Sequence, residues 1–372
     1  VCYWLKRFGF SPILIEKSAN LRKGGHALDV RGAAIDLVKR MGIYEKICNM
    51  RSQVEFGRYV DAEGNILHEE KGERFAFRQG EDVEINREDL VEILIQALEG
   101  VPCHFNQWIT SIKQSDNDVE VQFGDGRTEH YGLVVGADGL HSKTRRMVFN
   151  KDEYKLTNLG ACFSVFSIPN YLNLNHTEVL CEANQKLVSI TSDKNPTIAE
   201  VAFSFRVQNV LNNIRDENEQ QRFLRDTFQD FGWETSKILE LMSSSNDFYF
   251  DSVTQVKMRS WTKGRVALLG DAAYSASPIS GQGNNLALVG AYVFAGELKQ
   301  ANGNYHRAFK RYNELLHPFV EANQNLGILV NESTLVRDEV SQEVAEKRSS
   351  KIMQEVEIAA NMISLPDYEN YI

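Results

Sequence analysis

The chain opens on an apolar pattern with helical spacing. In VCYWLKRFG, Val1, Leu5 and Phe8 share one face and Gly9 ends the run, so a short amphipathic helix is expected. SPILIEKS follows as a short apolar run closing on Glu16, the pattern of a buried parallel strand whose end offers an acid to a ribose. Helix, strand and acid in this order read as the second half of a dinucleotide-binding βαβ unit, although the same order occurs in many α/β proteins. The strand and glycine-rich turn that complete such a unit are expected upstream of Val1.

Further along, RGAAIDLVKRMGIYEKI (31–47) has helical spacing broken at Gly42. FGRYVDAEGNILHEE (56–70) alternates around Glu63-Gly64 and predicts a hairpin. EINREDLVEILIQAL predicts a helix from Arg87 to about Leu98. The next stretch reads as a meander with strands at 103–113, 118–123 and 129–136, turning at Asp125-Gly126. ACFSVFSI, KLVSIT and AEVAFSFRV are strand candidates around a charged helix, NEQQRFLRDTFQDFG. Beyond 305 the pattern is helical. Val336, Val340, Val344, Ile352, Val356, Ala359 and Ile363 mark one face of a long helix from Ser333 to Ile363. No repeat or Gly/Ser linker divides the chain, so two domains would be interleaved rather than beaded.

Composition narrows the function classes. The 372 residues are 42% hydrophobic and 25% charged, and they carry a net charge of −10, which argues against a nucleic-acid binder. No apolar run is long enough to span a bilayer, and the first residues do not read as a signal peptide. Cys2, Cys48, Cys103, Cys162 and Cys181 form no CxxC pair, which points to reduced thiols and a cytoplasmic location. The eight histidines lack metal-ligand spacing, so no metal is expected.

Two motifs carry chemistry. GLVVGADGLHSKTRR (132–146) ends a buried strand on Asp138 between glycines, where backbone and carboxylate can approach a cofactor. Arg145 and Arg146 could then meet phosphate charge. The competing reading is a plain strand–turn–helix with an Asp cap. In GDAAYSASPISGQGNNLAL (270–288), Asp271 can accept hydrogen bonds from a polyol. Gly281 and Gly283 admit a flat ring against the backbone, and the following helix aims its positive end there. Alone, that stretch also fits a helix cap with turn glycines. The two motifs together are far more specific than either.

With both motifs in place, the sequence resembles the class A FAD-dependent monooxygenases of the para-hydroxybenzoate hydroxylase fold, over nearly its whole length. Within that class it is most similar to the tetracycline destructases of the Legionella and soil type. The likeness rests on GGHALDVRG (24–32), EINREDL, both motifs above and the long C-terminal helix. The resemblance implies an α/β fold in which a Rossmann-like FAD-binding domain (1–55, 82–160 and 257–304) is interleaved with a β-sheet substrate domain (56–81 and 161–256). A C-terminal helical segment (305–372) follows. It also assigns Glu16 and Lys17 to the adenosine ribose, and Asp29 and Arg31 to the segment beneath the flavin. Arg87, Asp138 and Asp271 fall to FAD, and Gly281, Gln282, Gly283, Asn284 and Asn285 to the isoalloxazine. Two positions depart from the family: Tyr274 stands where histidine is frequent, and Ser277 where a second proline is.

The implied activity is oxidation and inactivation of tetracyclines, a route to antibiotic resistance. NADPH would reduce FAD, O₂ would add at the flavin C4a, and the hydroperoxide would transfer oxygen to an electron-rich carbon. No side chain is expected to act as a covalent or acid–base catalyst. KLVSIT, AEVAFSFRV and FGRYV are expected to wall the substrate site, with Glu182, Phe203 and Arg206 as contacts and Phe75 and Phe77 as further wall residues. The protein is expected to be a monomer without nucleic-acid or membrane partners. The alternatives are a hydroxylase of another phenol or polyketide, and a non-catalytic remnant without FAD.

Overall fold

The structure is a computed structural model that describes residues 1–21, 27–71, 80–207, 214, 216–333 and 342–369. Its first elements are α1 (Cys2–Arg7), β1 (Leu14–Ile15), β2 (Ala27–Val30), α2 (Ala33–Arg40), α3 (Tyr44–Asn49), β3 (Phe56–Val60) and β4 (Ile66–Lys71). Then come β5 (Val83–Asn86), α4 (Arg87–Gln96), β6 (Cys103–His104), β7 (Ile109–Gln114), β8 (Val119–Phe123), β9 (Thr128–Tyr131), β10 (Val134–Gly136) and α5 (Lys143–Val148). The middle holds β11 (Tyr154–Pro169), β12 (Thr177–Ala183), β13 (Lys186–Ser192), β14 (Ile198–Arg206), α6 (Glu217–Phe228), α7 (Thr235–Met242) and β15 (Tyr249–Met258). The last are β16 (Thr262–Lys263), β17 (Val266–Leu268), α8 (Asp271–Tyr274), α9 (Gly283–Gln300), α10 (Tyr305–Ser333) and α11 (Gln342–Ala360).

The architecture is mixed α/β. Short parallel pairs join β1 with β6 and β10 with β17. A seven-stranded sheet runs in the order β15-β11-β14-β13-β12-β3-β4. That sheet collects residues from 56–71 and 154–258, so its longest strand starts at Tyr154, earlier than the expected 161. Strand alternation gives it two unlike faces. Val201, Phe203 and Phe205 of β14 join Val188, Ile190 and Phe166 against Leu224 and Phe228 of α6 and Ile238 and Met242 of α7. The intervening residues Glu200, Ala202, Ser204 and Arg206 take the opposite face.

A second core surrounds α9. GNNLALVGAYVFAGEL is apolar on every side, so the helix must be covered all round. Trp4 of α1, Tyr312 and Phe319 of α10, and Ala267 and Leu268 of β17 cover it. The helix α11 closes over α10 through Leu326, Val330, Ile352, Val356 and Ala359.

Several local expectations change. Trp4, 2% exposed, is the anchor of α1, whereas Val1, Leu5 and Phe8 are only partly buried. The expected strand 103–113 is two strands in different sheets, because Asn106 (φ 55°) turns the chain and donates its N–H to Ser18 O at 3.0 Å. Likewise 129–136 divides at Gly132: β9 pairs with β8, and β10 pairs with β17. The C-terminal helix expected from Ser333 to Ile363 divides as well. Its start belongs to α10, its end to α11, and Ile363 lies in the tail beyond α11. Val336 and Val340 lie outside the described residues.

Candidate cofactor and substrate site

The site begins where β17, fully buried, meets Gly270 (φ 57°), and the turn delivers Asp271 as the first residue of α8. Its carboxylate is exposed, yet it stands in a crevice closely walled by protein. That burial pushes its ionisation above the usual carboxylate range, Asp251 adds repulsion in the same direction, and the Ser275 hydroxyl opposes both. The next loop is stitched to the rest of the molecule by amides. Gln255 Nε2 donates to Ala276 O (3.2 Å) and Gln324 O (2.7 Å), and Gln324 Nε2 donates to Val256 O (2.8 Å).

After the short turn Pro278–Ser280, Gly281 takes a left-handed conformation and α9 starts at Gly283 without a side-chain cap. A Cβ on Gly283 would meet nothing within 4 Å, and one on Gly281 would meet only Asp29 Oδ2 at 3.9 Å. The backbone here is therefore open to a flat partner on the side facing β2. Asn284 Nδ2 ties the two segments by donating to Asp29 O at 3.0 Å. On β2, Asp29 is ion-paired with Arg31, whose side chain is only 3% exposed. The site residues Asp29, Arg31 and 281–285, far apart in the chain, thus meet.

Arg31 Nε, Ser277 Oγ, Gln282 Nε2 and Asn285 Oδ1 are buried without a hydrogen-bond partner among the described residues. The uncapped helix N-terminus and the two open glycines suit the polar edge of a flat heterocycle.

The other sequence candidates are placed differently. Asp138 spends its carboxylate on α5: Oδ2 accepts from Lys143 N (2.8 Å), Thr144 N (2.9 Å) and Thr144 Oγ1, and Oδ1 accepts from Ser142 Oγ (2.5 Å). Arg145, expected near phosphate, is wholly buried and donates to Ala272 O (2.7 Å) and Leu140 O (2.6 Å). It clamps one motif to the other and has no reach to solvent. Tyr274 is buried, and its hydroxyl accepts from Tyr312 rather than turning toward the crevice. Glu16 caps its own turn, accepting from Ser18 N at 2.7 Å, with exposed Lys17 beside it. Arg87 opens α4, whose neighbourhood is bound to the turn after β13 by Asn86–Asp193 (3.0 Å) and Lys194–Asp89 (2.6 Å).

A family described as "FAD binding domain" matches residues 2–324. The chain is 63% identical to the flavin-dependent monooxygenase of Legionella longbeachae serogroup 1, over all of this chain and 95% of that protein. The chain belongs to the flavin-dependent monooxygenases. The crystal structure of tetracycline destructase Tet(51) is similar at 77% identity and TM-score 0.92, and that of Tet(55) at 54% and 0.92; each likeness covers 99% of this chain and 95% of the other. The protein is therefore an FAD-dependent enzyme, which sets aside the non-catalytic alternative.

In this monooxygenase the unlike faces of the seven-stranded sheet decide the substrate candidates. Phe203, expected at the wall, is 0% exposed and packs on Phe228 at 4.7 Å between centroids, on the helix-covered face. It is core. Glu182 (paired in register with Leu187) and Arg206 lie on the opposite face, where Arg206 donates to Leu159 O and Asn331 O. Phe75 and Phe77 lie outside the described residues. Sequence reasoning missed the polar contributions of α10: Asn323, Gln324 and Asn331 are all buried. Their signal was amides interrupting an otherwise apolar helix face.

Ser277 carries a local cost. Its φ of 85° and ψ of 151° are a conformation used almost only by glycine, worth about 1–3 kcal/mol of strain. Its hydroxyl makes no bond that would be lost, so Ser277→Gly is expected to stabilise the protein by about 1 kcal/mol after glycine's own entropy cost. A rise in thermal midpoint checks this; a fall would show that the serine is held without strain.

Proposed function

We propose that this monooxygenase oxidises and thereby inactivates tetracyclines, using NADPH and O₂. The observation that carries the reading is 77% identity to the tetracycline destructase Tet(51) over 99% of the chain, sheet and crevice included. Bound FAD, once reduced, supplies activated oxygen for transfer to an electron-rich enol or phenol carbon. The protein's share is placement and electrostatics. Asp271 accepts from the ribitol, while Asp29, Arg31 and Gln282–Asn285 hold the ring edge, and the N-terminus of α9 stabilises negative charge there. Glu16, Lys17, Arg87 and Asp138 complete the proposed FAD contacts. The open face of the seven-stranded sheet, with Glu182 and Arg206, orients the substrate and keeps water from it.

We also place the protein in the cytoplasm as a monomer, in keeping with its five free cysteines. No helix among the described residues is long and apolar enough to cross a membrane. The deciding experiment measures NADPH oxidation by flavin-loaded enzyme with and without tetracycline, alongside product mass. The expected result is tetracycline-dependent NADPH oxidation with a product heavier by oxygen. Stimulation only by other phenols would instead establish a hydroxylase with a different substrate.

A further inference from the structure

The turn between β13 and β14 belongs to the seven-stranded sheet, yet its first two residues reach out of that sheet and hold the start of α4. Asp193 Oδ1 accepts from Gln53 N (2.6 Å), and its Oδ2 accepts from Asn86 Nδ2 (3.0 Å). Lys194 Nζ donates to Asp89 Oδ2 (2.6 Å) and to Met50 O (2.8 Å). Asn86 and Asp89 flank Arg87 at the first turn of α4, so an anchor lies on each side of that arginine.

Local helix chemistry does not explain these bonds. Asparagine is favoured at a helix N-cap because its side chain accepts from the helix's own N–H groups. Asn86 holds the N-cap of α4 but makes no such bond, and its amide is turned to Asp193 instead. Asp89 suits the positive end of its own helix, yet it is also paired with Lys194, both side chains being partly buried. The turn that makes these bonds is itself braced. Buried Asn170 donates from Nδ2 to Leu174 O (2.8 Å) and Pro196 O (2.9 Å), and Asn195 Oδ1 accepts from Thr197 N (3.0 Å) and Thr197 Oγ1 (2.7 Å). On the receiving side, Arg51 bridges to Ile85 and Ser52 N donates to Glu84 O (2.8 Å), which joins the segment at Met50–Gln53 to β5. β5 in turn pairs with β2, the strand that carries Asp29.

We propose that Asp193 and Lys194 are positioning residues for the cofactor: they fix the first turn of α4 against the sheet and so aim Arg87 at FAD. This role rests on the assignment of Arg87 to FAD proposed above. Its physical basis is preorganisation. An arginine whose backbone is fixed on both sides loses less freedom on meeting a ligand than one at a fraying helix start. The β13–β14 turn thereby ties the sheet that walls the substrate to a residue that holds the flavin.

The test is a double-mutant cycle on FAD affinity in the full chain, read by flavin fluorescence titration with urea midpoints alongside. Asp193→Ala and Arg87→Ala are each expected to raise the FAD Kd about tenfold. The two together should raise it little beyond Arg87→Ala alone, because Asp193 acts through Arg87. Lys194→Met should behave like Asp193→Ala in the same cycle, whereas Lys194→Arg, which keeps the charge facing Asp89, should hold most of the affinity. A merely structural tie would lower the urea midpoint and leave Kd unchanged, or would multiply the two increases to about a hundredfold in the double variant. Either result overturns the positioning role while the contact of Arg87 with FAD stands. Should Asp193→Ala fold too poorly to titrate, the Lys194→Met cycle decides in its place. An unchanged Kd in Arg87→Ala would overturn the contact itself, and the positioning role with it.

Discussion

Asp271→Ala is expected to weaken FAD binding by about 1.5–3 kcal/mol, roughly ten- to hundredfold in Kd. Asp271 is delivered to the crevice by a buried strand and a left-handed glycine, so its position is set by rigid structure. Its carboxyl is raised by burial, and hydroxyl donors from a ribitol would stabilise the charged form and bring the ionisation back down. FAD affinity should therefore be full at neutral pH and fall as acid protonates Asp271. Asp271→Asn, which keeps the shape without the charge, should lose less than alanine. Flavin fluorescence titration of each variant from neutral pH into the acid range measures both effects. Unchanged affinity in Asp271→Ala would mean that its carboxylate makes no contact with FAD.

Tyr368→Ala is expected to cost about 3–5 kcal/mol of stability, the largest effect of any single change considered. Tyr368 is 0% exposed although it lies in the tail beyond the last helix. Its ring fills the notch left by Gly296 of α9, and its hydroxyl donates to Glu297 Oε1 at 2.7 Å. Truncation removes the ring from a packed interior and leaves a carboxylate, 4% exposed, without that donor. Lys299 Nζ to Tyr368 O (2.7 Å) and Tyr292 hydroxyl to Pro366 O (2.7 Å) hold the same tail. Tyr368→Phe separates the two terms, keeping the ring and losing about 1–3 kcal/mol for the hydrogen bond alone. Urea midpoints provide the comparison. Because α11 leads directly into this tail and Asn285 Nδ2 donates to Ala360 O (3.3 Å), flavin retention should fall alongside stability in the alanine variant. A midpoint unchanged from wild type would mean that the tail is not fastened there.

Much of the candidate site was legible because its chemistry is local. Residues 270–288 bring an acid, left-handed glycines and a helix start within one turn of chain, and short-range backbone rules suffice to interpret them. The hairpin at Glu63-Gly64 and the turn at Asp125-Gly126 follow from the same rules, and α9 is readable as buried from its all-apolar surface. Strand parity was legible too, and it separates residues that a list of polar and aromatic candidates merges. Phe203 and Arg206 are three residues apart on one strand, so they cannot share a face. Val201 and Phe205 show which face Phe203 takes.

Tertiary structure alone decided the rest, since it depends on partners distant in sequence. Nothing near Asp29 announces that Asn284 will hold its carbonyl, or that the Arg31 pair will lie beside Gly281. Nothing near Arg145 separates a phosphate ligand from a buried clamp on Ala272, because either use suits a cation after an Asp-Gly turn. Local sequence sets backbone conformation and amphipathic faces through short-range sterics and hydration. Burial and electrostatic surroundings are sums over residues that only the folded chain brings together.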